Sequence, residues 1–186
     1  MKLQLNEVVR AAQSGIYPSD IQYDDEGYVN FYYLSSDGGN LSPINIQRPM
    51  FSHSKIERNG RMCFPVMYFH TNPLKSDRSV KPWTDMLIPD EGYVYYNGDN
   101  QTAGLMPSGK MNSGNSRMEE ICPQYFSKKT EERELACPII IFEQTDEVNG
   151  KKKGYRKFIG YGIVTKIEIR QEFVPKTDDV FSNYLF

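Results

Sequence analysis

The sequence predicts a mainly β domain of the α+β class, with a highly curved sheet and one to three short helices. Thirteen Tyr and ten Phe favour pleated strands over helices, because large flat side chains pack well on a half-buried sheet. Short β-rich runs recur (YVNFYYL, RMCFPVMYFH, GYVYY, PIIIFE), separated by Gly, Pro, Asn and Asp clusters that break strands into turns. Helical patterns with start and stop signals are confined to two short segments. The 186 residues and 39% hydrophobic content suffice for a packed core in one domain of ordinary size.

In chain order, residues 3–13 (LQLNEVVRAAQ) predict a short helix stopped by Gly15 and Pro18. Tyr28 to Leu34 reads as a strand and Ser35 to Asn40 as a turn. Residues 44–48 read as a short extended piece between Pro43 and Pro49. Residues 61–70 predict a strand into the core, with Pro65 placing it at an edge or bulge. Residues 71–81 form a polar, basic loop. Gly92 to Tyr96 predicts a strand entered through Pro89-Asp90-Glu91 and left through Asn97-Gly98. Gln101 to Ser116 is a loop rich in Gly, Ser and Asn, of a length that inside a compact domain is usually functional or disordered. Asn115 to Cys122 predicts a short helix capped by Asn115. Residues 138–143 are the most hydrophobic strand, followed by a turn with Asn149-Gly150 at its tip. Residues 155–170 give one long or two short strands, with Gly160 and Gly162 marking a bend or bulge. Phe173 to Phe186 reads as a tail.

The net charge of −2 conceals blocks. Residues 48–81 hold seven basic and two acidic side chains, and residues 150–170 seven and one. Residues 119–147 hold three basic and eight acidic. Such blocks read first as solvated loops, yet a nucleic-acid binder needs basic surface only where phosphates lie. No run approaches the roughly 18 apolar residues of a membrane helix, and the N-terminus lacks a signal-peptide core. Cys63, Cys122 and Cys137 are scattered without a CxxC pair, as expected of buried thiols in a reducing cytoplasm.

Several chemistries find little support. His53 and His70 are the only histidines, and no Cys or His pair has ligand spacing, so no metal is expected. A metal-dependent nuclease needs an Asp followed by Glu/Asp-x-Lys; Glu168-Ile169-Arg170 ends in Arg. There is no GxxxxGKS/T, no strand-GxGxxG-helix unit and no GxSxG. Neither a cofactor nor catalysis by this chain alone is expected. Asp24-Asp25-Glu26 reads as a solvated turn.

The stretch PWTDMLIPDEGYVYYNGDN, Pro82 to Asn100, is more informative. It holds the single Trp, three tyrosines, four carboxylates and a Gly-Asp-Asn turn. Aromatic faces stack on nucleobases for roughly 1–3 kcal/mol per base, and a carboxylate accepts the exocyclic amine of cytosine or adenine. The same residues also read as ordinary core. Alternation puts Tyr93 and Tyr95 on one strand face and Val94 and Tyr96 on the other, so at most one face is core and one is pocket.

At these residues, together with Gly114-Asn115-Ser116-Arg117-Met118 and GYRKFIGYGIV, the chain resembles the N-terminal recognition domain of AspBHI- and MspJI-type modification-dependent restriction endonucleases. The resemblance covers roughly residues 55–170, with Asp90, Gly92, Tyr96, Gly98 and Asp99 its most specific part. It implies a curved, barrel-like SRA/PUA-like sheet that flips 5-methylcytosine out of duplex DNA. By resemblance the base pocket comprises Trp83, Asp85, Tyr96, Gly98, Asp99 and Asn100. Tyr96 and Trp83 match stacking aromatics, Asp85 the carboxylate that reads the cytosine amine, and Gly98 the turn glycine. Asp99 and Asn100 stand where eukaryotic SRA domains carry Ser-Gly.

Lys75, Arg78, Lys81, Lys110, Arg117 and Lys151, Lys152 and Lys153 are the candidates for backbone contact. The expected organisation is an N-terminal extension over 1–50, the recognition domain over 51–175, and a linker from 176–186 toward a C-terminal nuclease domain. The expected partner is double-stranded DNA carrying a modified base. A β-barrel reader of RNA or modified nucleotides, or a protein-interaction module of an antiphage system, are the other classes the sequence leaves open.

Overall fold

The computed structural model describes residues 2–11, 22–31, 48–72, 84–100, 102–111, 113–145, 148, 150, 154–174 and 179–186. It is mostly strands with two α-helices among the described residues, the expected α+β class. The chain divides into two compact units, Met1–His70 with Cys137–Gly162 and Thr71–Ala136 with Ile163–Phe186.

The first unit holds β1 (Val8–Arg10), β2 (Val29–Asn30), β3 (Met50–Ser52), β4 (Ile56–Arg58), β5 (Arg61–Cys63), β6 (Met67–Thr71, of which Thr71 falls to the second unit), β9 (Ile139–Gln144) and β10 (Tyr155–Gly162). Six of them form one sheet in the order β2-β1-β10-β9-β6-β3. Among the described residues the sheet ends in β2 and β3 and is not closed into the expected barrel. The cross-strand pairs Val9↔Arg156 and Phe158↔Phe142 set the register. Val9, Ala11, Val29, Phe31, Val66, Tyr68, Phe142 and Phe158 pack as one buried cluster. Phe31 meets Phe142 edge-on at 5.1 Å and Tyr68 at 5.9 Å, the favoured geometry for ring quadrupoles.

Sequence expectation and structure part at several places here. Residues 8–10 are strand rather than helix: Val8-Val9 is β-branched, and pairing with β10 and β2 outweighs the weak helical preference of a short segment. Residues 61–70 give two strands, broken at Phe64–Val66 around Pro65, which has no N–H for a ladder. The strand expected from Tyr28 is β2 alone within the described residues; residues 32–40 and 44–47 lie outside them. β4 and β5 form a hairpin turned by Asn59 and Gly60 at φ 52° and 73°, the left-handed pair that a tight hairpin demands. A bulge falls between Phe158 and Gly160, as Gly160 suggests. Asp24 is buried, not solvated: its carboxylate accepts the N–H groups of Glu26 and Tyr28 at 3.0 and 2.8 Å and the Tyr155 hydroxyl at 2.9 Å.

The second unit holds β7 (Met86–Ile88), a 3₁₀ turn (Pro89–Glu91), β8 (Tyr93–Tyr95), α1 (Gly114–Phe126), α2 (Thr130–Arg133), β11 (Glu168–Val174) and β12 (Asp179–Leu185). β7 pairs with β8, and β11 with β12, both antiparallel. Residues 179–185, expected to begin a linker, are thus a full strand. It also ties to the chain after β8: Tyr96 and Phe186 exchange N–H···O bonds at 2.9 Å, and the Gly98 N–H donates to the Tyr184 carbonyl at 2.8 Å. Met118, Ile121 and Cys122, spaced for one helix face, are buried in this unit, as are Tyr96, Leu135, Val164 and Leu185. All three cysteines are buried thiols.

Truncating the ring at the centre of the first unit, Phe142→Ala, is predicted to cost about 3–5 kcal/mol. A denaturant midpoint shift with unchanged slope checks it.

Candidate nucleic-acid recognition site

The Gly98-Asp99-Asn100 turn lies at the centre of a buried polar network in the second unit. Asn115 and Asn183 are fully buried. The Asn115 amide donates to the Pro107 carbonyl at 2.6 Å and to Asn183 Oδ1 at 2.7 Å, while its own Oδ1 accepts the Asp99 N–H at 3.0 Å. Asn183 donates to the Gly98 carbonyl at 2.8 Å. The Asp99 carboxylate accepts the N–H groups of Gly114 and Asn115 at 2.6 and 2.9 Å, placing negative charge on the N-terminus of α1 where free N–H groups and the helix dipole favour it. The N-cap is Ser113, whose Oγ accepts the Ser116 N–H at 3.2 Å, not Asn115 as expected. Asn100 is buried and donates to the Ser182 carbonyl at 2.7 Å.

Gly98 is required by approach rather than by dihedral. A β-carbon there would lie 2.0 Å from Asn115 Oδ1 and 2.4 Å from Asn183 Oδ1, inside any permitted contact.

Asp85 occupies a different setting. It is half-buried, and its Oδ1 accepts the Asn97 N–H at 2.9 Å. Burial raises its carboxyl above the ordinary carboxylate range, against the lowering effect of the Asn97 and Thr71 groups. The Thr71 hydroxyl is fully buried beside this carboxylate and lowers its pKa by hydrogen bonding. A desolvated carboxylate paired with a buried hydroxyl marks a candidate recognition point.

The tyrosines divide as alternation requires. Tyr96 is 2% exposed, whereas Tyr93 and Tyr95 are 55% and 46% exposed. Met86, also exposed, lies opposite Tyr95 in the hairpin register. Among the backbone candidates, Lys110 is exposed and Arg117 half-buried on the first turn of α1. Trp83, Lys75, Arg78, Lys81, Lys151, Lys152 and Lys153 lie outside the described residues. The structure therefore brings Gly98, Asp99 and Asn100 into one network, and sets Asp85 with Asn97 and Thr71. Thr71, Asn97, Asn115 and Asn183 are additions that the sequence reading missed. Asn115 lay inside a segment already singled out; Asn183 gave no signal, because its partners are 68 and 85 residues away.

Two outcomes follow. Asn115→Ala strands the Pro107 carbonyl and the Asp99 N–H, while Asn183 Oδ1 keeps the Tyr184 N–H at 3.0 Å, and is predicted to cost roughly 2 kcal/mol or more, at about 1–3 kcal/mol per stranded group; chemical denaturation measures it. Asp85→Asn has the opposite sign. A raised carboxyl means the folded state holds its proton more tightly than the unfolded chain, so stability falls as pH rises through that window. The variant is therefore predicted to melt at or above the parent temperature at pH 7, with the difference vanishing at acid pH where Asp85 is protonated.

The family model for the restriction endonuclease AspBHI N-terminal domain matches residues 56–184. The MspJI restriction endonuclease, solved in complex with a 27-mer oligonucleotide, superposes with a TM-score of 0.82 at 26% identity over 98% of this chain. This chain spans only 41% of that one. The DNA recognition domain of the cytosine modification-dependent endonuclease LpnPI (TM-score 0.64, 16% identity, 98% of this chain and 71% of that one) shares the fold. So does the DNA modification-dependent endonuclease AspBHI (0.59, 15%, 97% and 72%). No curated protein sequence matches. With well over half its length matched by the family model, the chain belongs to the family of AspBHI-type restriction endonuclease N-terminal domains.

Proposed function

We propose that this chain is the DNA-recognition module of a modification-dependent restriction endonuclease. It binds duplex DNA, extrudes a modified cytosine of the 5-methylcytosine kind, and leaves cleavage to a separate nuclease domain. The observation that carries the reading to a site is the half-buried Asp85 carboxylate, raised by burial, beside the fully buried Thr71 hydroxyl. The Watson–Crick edge of cytosine offers an amine donor and a ring-nitrogen acceptor next to each other. Asp85 accepts the first with its remaining lone pairs and Thr71 turns its hydroxyl to donate to the second.

Trp83 is the stacking wall in this proposal; Tyr96, expected to share that role, is 2% exposed and serves as core, and Gly98, Asp99 and Asn100 act as the turn that fixes the chain after it. Lys110 and Arg117 contact phosphates, together with Lys75, Arg78, Lys81 and Lys151 to Lys153. Membership in the family and the likeness to MspJI, solved with an oligonucleotide, support DNA as the ligand.

A panel of matched duplexes carrying C, 5-methyl-C, 5-hydroxymethyl-C and N6-methyl-A tests this. Preference for a modified cytosine is expected, and Asp85→Asn should weaken it by roughly tenfold or more, the scale of one lost base-edge contact. Binding should strengthen as pH rises through the raised Asp85 pKa, because the charged carboxylate is the better acceptor. Equal binding to all four duplexes sinks the proposal. In Lys110→Ala, affinity should fall on every duplex and the log–log salt slope shrink by about 1.

A further inference from the structure

β11 lies at an open edge of the second unit. On one side it pairs with β12. The far side of β12 is taken up by the segment after β8: Asn97 bridges Leu185, and Tyr96 exchanges backbone hydrogen bonds with Phe186. On the other side of β11, no strand among the described residues pairs with Glu168–Val174. A row of backbone N–H and C=O groups along an edge is a template for another strand, and natural edges are guarded by brevity, by Pro or Lys, or by a bulge. β11 has seven residues, no Pro and no Lys, and its register with β12 runs without a shift. Its guards are the charges of Glu168, Arg170 and Glu172.

The order of residues is symmetric about Gln171. When β11 is laid antiparallel against a second copy with the two Gln171 residues opposed, Arg170 falls opposite the partner's Glu172. Ile169 falls opposite the partner's Phe173, and two-fold symmetry repeats both pairs. A slip of two residues, the smallest that keeps each side chain on its face, sets Arg170 against the partner's Arg170 or Glu172 against the partner's Glu172. The register is therefore specified.

The faces agree with the edge. Alternation puts Ile169, Gln171 and Phe173 on one face and Arg170 and Glu172 on the other. Ile169 and Phe173 are 63% and 57% exposed, and Val180, directly opposite Phe173 in β12, is 41% exposed. In the paired form each Val180–Phe173 row continues onto the partner's Ile169, so that isolated apolar side chains become one cross-strand row. At the axis Gln171, which donates to Ser182 Oγ at 3.3 Å, meets a second amide. Arg170 lies 3.7 Å from Glu168 on the exposed surface, an ion pair weak enough to exchange for another.

We infer that β11 is the contact strand of a two-fold dimer, adding edge to edge to β11 of a second copy of this chain to give a four-stranded antiparallel sheet, β12-β11-β11-β12. The charge order selects this partner. A strand with a different order meets like charge at Arg170 or Glu172, so the same residues that guard the edge against other chains match it to itself.

Sedimentation equilibrium of the full chain tests the pairing. The parent is expected to dimerise reversibly with rising concentration. Arg170→Glu opposes carboxylates at both symmetric positions, and Glu172→Arg opposes guanidinium groups. Each should weaken association roughly tenfold or more, because like charges directly opposite destabilise a strand pair. Both sites are exposed, so the melting temperature of the dilute monomer should not move. The double variant Arg170→Glu/Glu172→Arg should dimerise like the parent. So should an equimolar mixture of the two single variants, in which every charged pair is again opposite in sign. A parent chain that stays monomeric at its highest soluble concentration overturns the inference, as does a dimer indifferent to both single reversals. A loss that neither the double variant nor the mixture restores overturns it as well.

Discussion

The contact between the Asn115 and Asn183 side chains joins several separate pieces of the second unit. Through these two amides, the start of α1, the Gly98 turn, the Pro107 carbonyl and the strand β12 share one set of hydrogen bonds. Both side chains are fully buried, so each donor and acceptor must find a protein partner or incur a desolvation penalty. The arrangement leaves no room at residue 98 for any β-carbon. Polar networks of this kind specify one geometry because a half-satisfied version is worse than none. Apolar packing by Met118, Ile121 and Leu185 supplies bulk burial but tolerates adjustment.

That rigidity gives the neighbouring site its character. Asp85 and Thr71 differ from the Asn115 network: one is a carboxylate raised by burial, the other a fully buried hydroxyl beside it. Stability given up at one point, and over-determined nearby, is the usual relation between a recognition site and its support. The Tyr184 hydroxyl, 2.5 Å from Glu119, adds a further tie between β12 and α1, and burial followed by this carboxylate pushes its pKa up to about 12.

Much of this was legible from residues alone, where the signal was local. β9 and β10 and the bulge before Gly160 follow from β-branched runs and glycine placement. The division of the tyrosines follows from strand alternation, although the buried member is Tyr96 and the solvent-facing pair is Tyr93 and Tyr95. The Asn59-Gly60 hairpin carries an equally local signal, Asn-Gly between short extended runs, inside a basic block. Distance in sequence hid the rest. β1 looks helical until β10, nearly 150 residues away, pairs with it, and the last strand looks like a tail until Asn183 meets Gly98. Asp99 and Asn100 attracted attention as acidic and amide groups in an aromatic stretch; their partners turned out to be backbone N–H groups and carbonyls.

The closing strand has a bearing on how such modules are exchanged. Asp179–Leu185 supplies Asn183 to the buried amides, Leu185 to the core and the Tyr184 carbonyl to Gly98. A recombination junction placed just before this strand would separate a recognition module from a piece of its own interior. Swapping specificity between enzymes of this architecture, in the laboratory or over evolutionary time, is therefore constrained to breakpoints outside residues 179–186, and those residues travel with the reader rather than with whatever it is joined to.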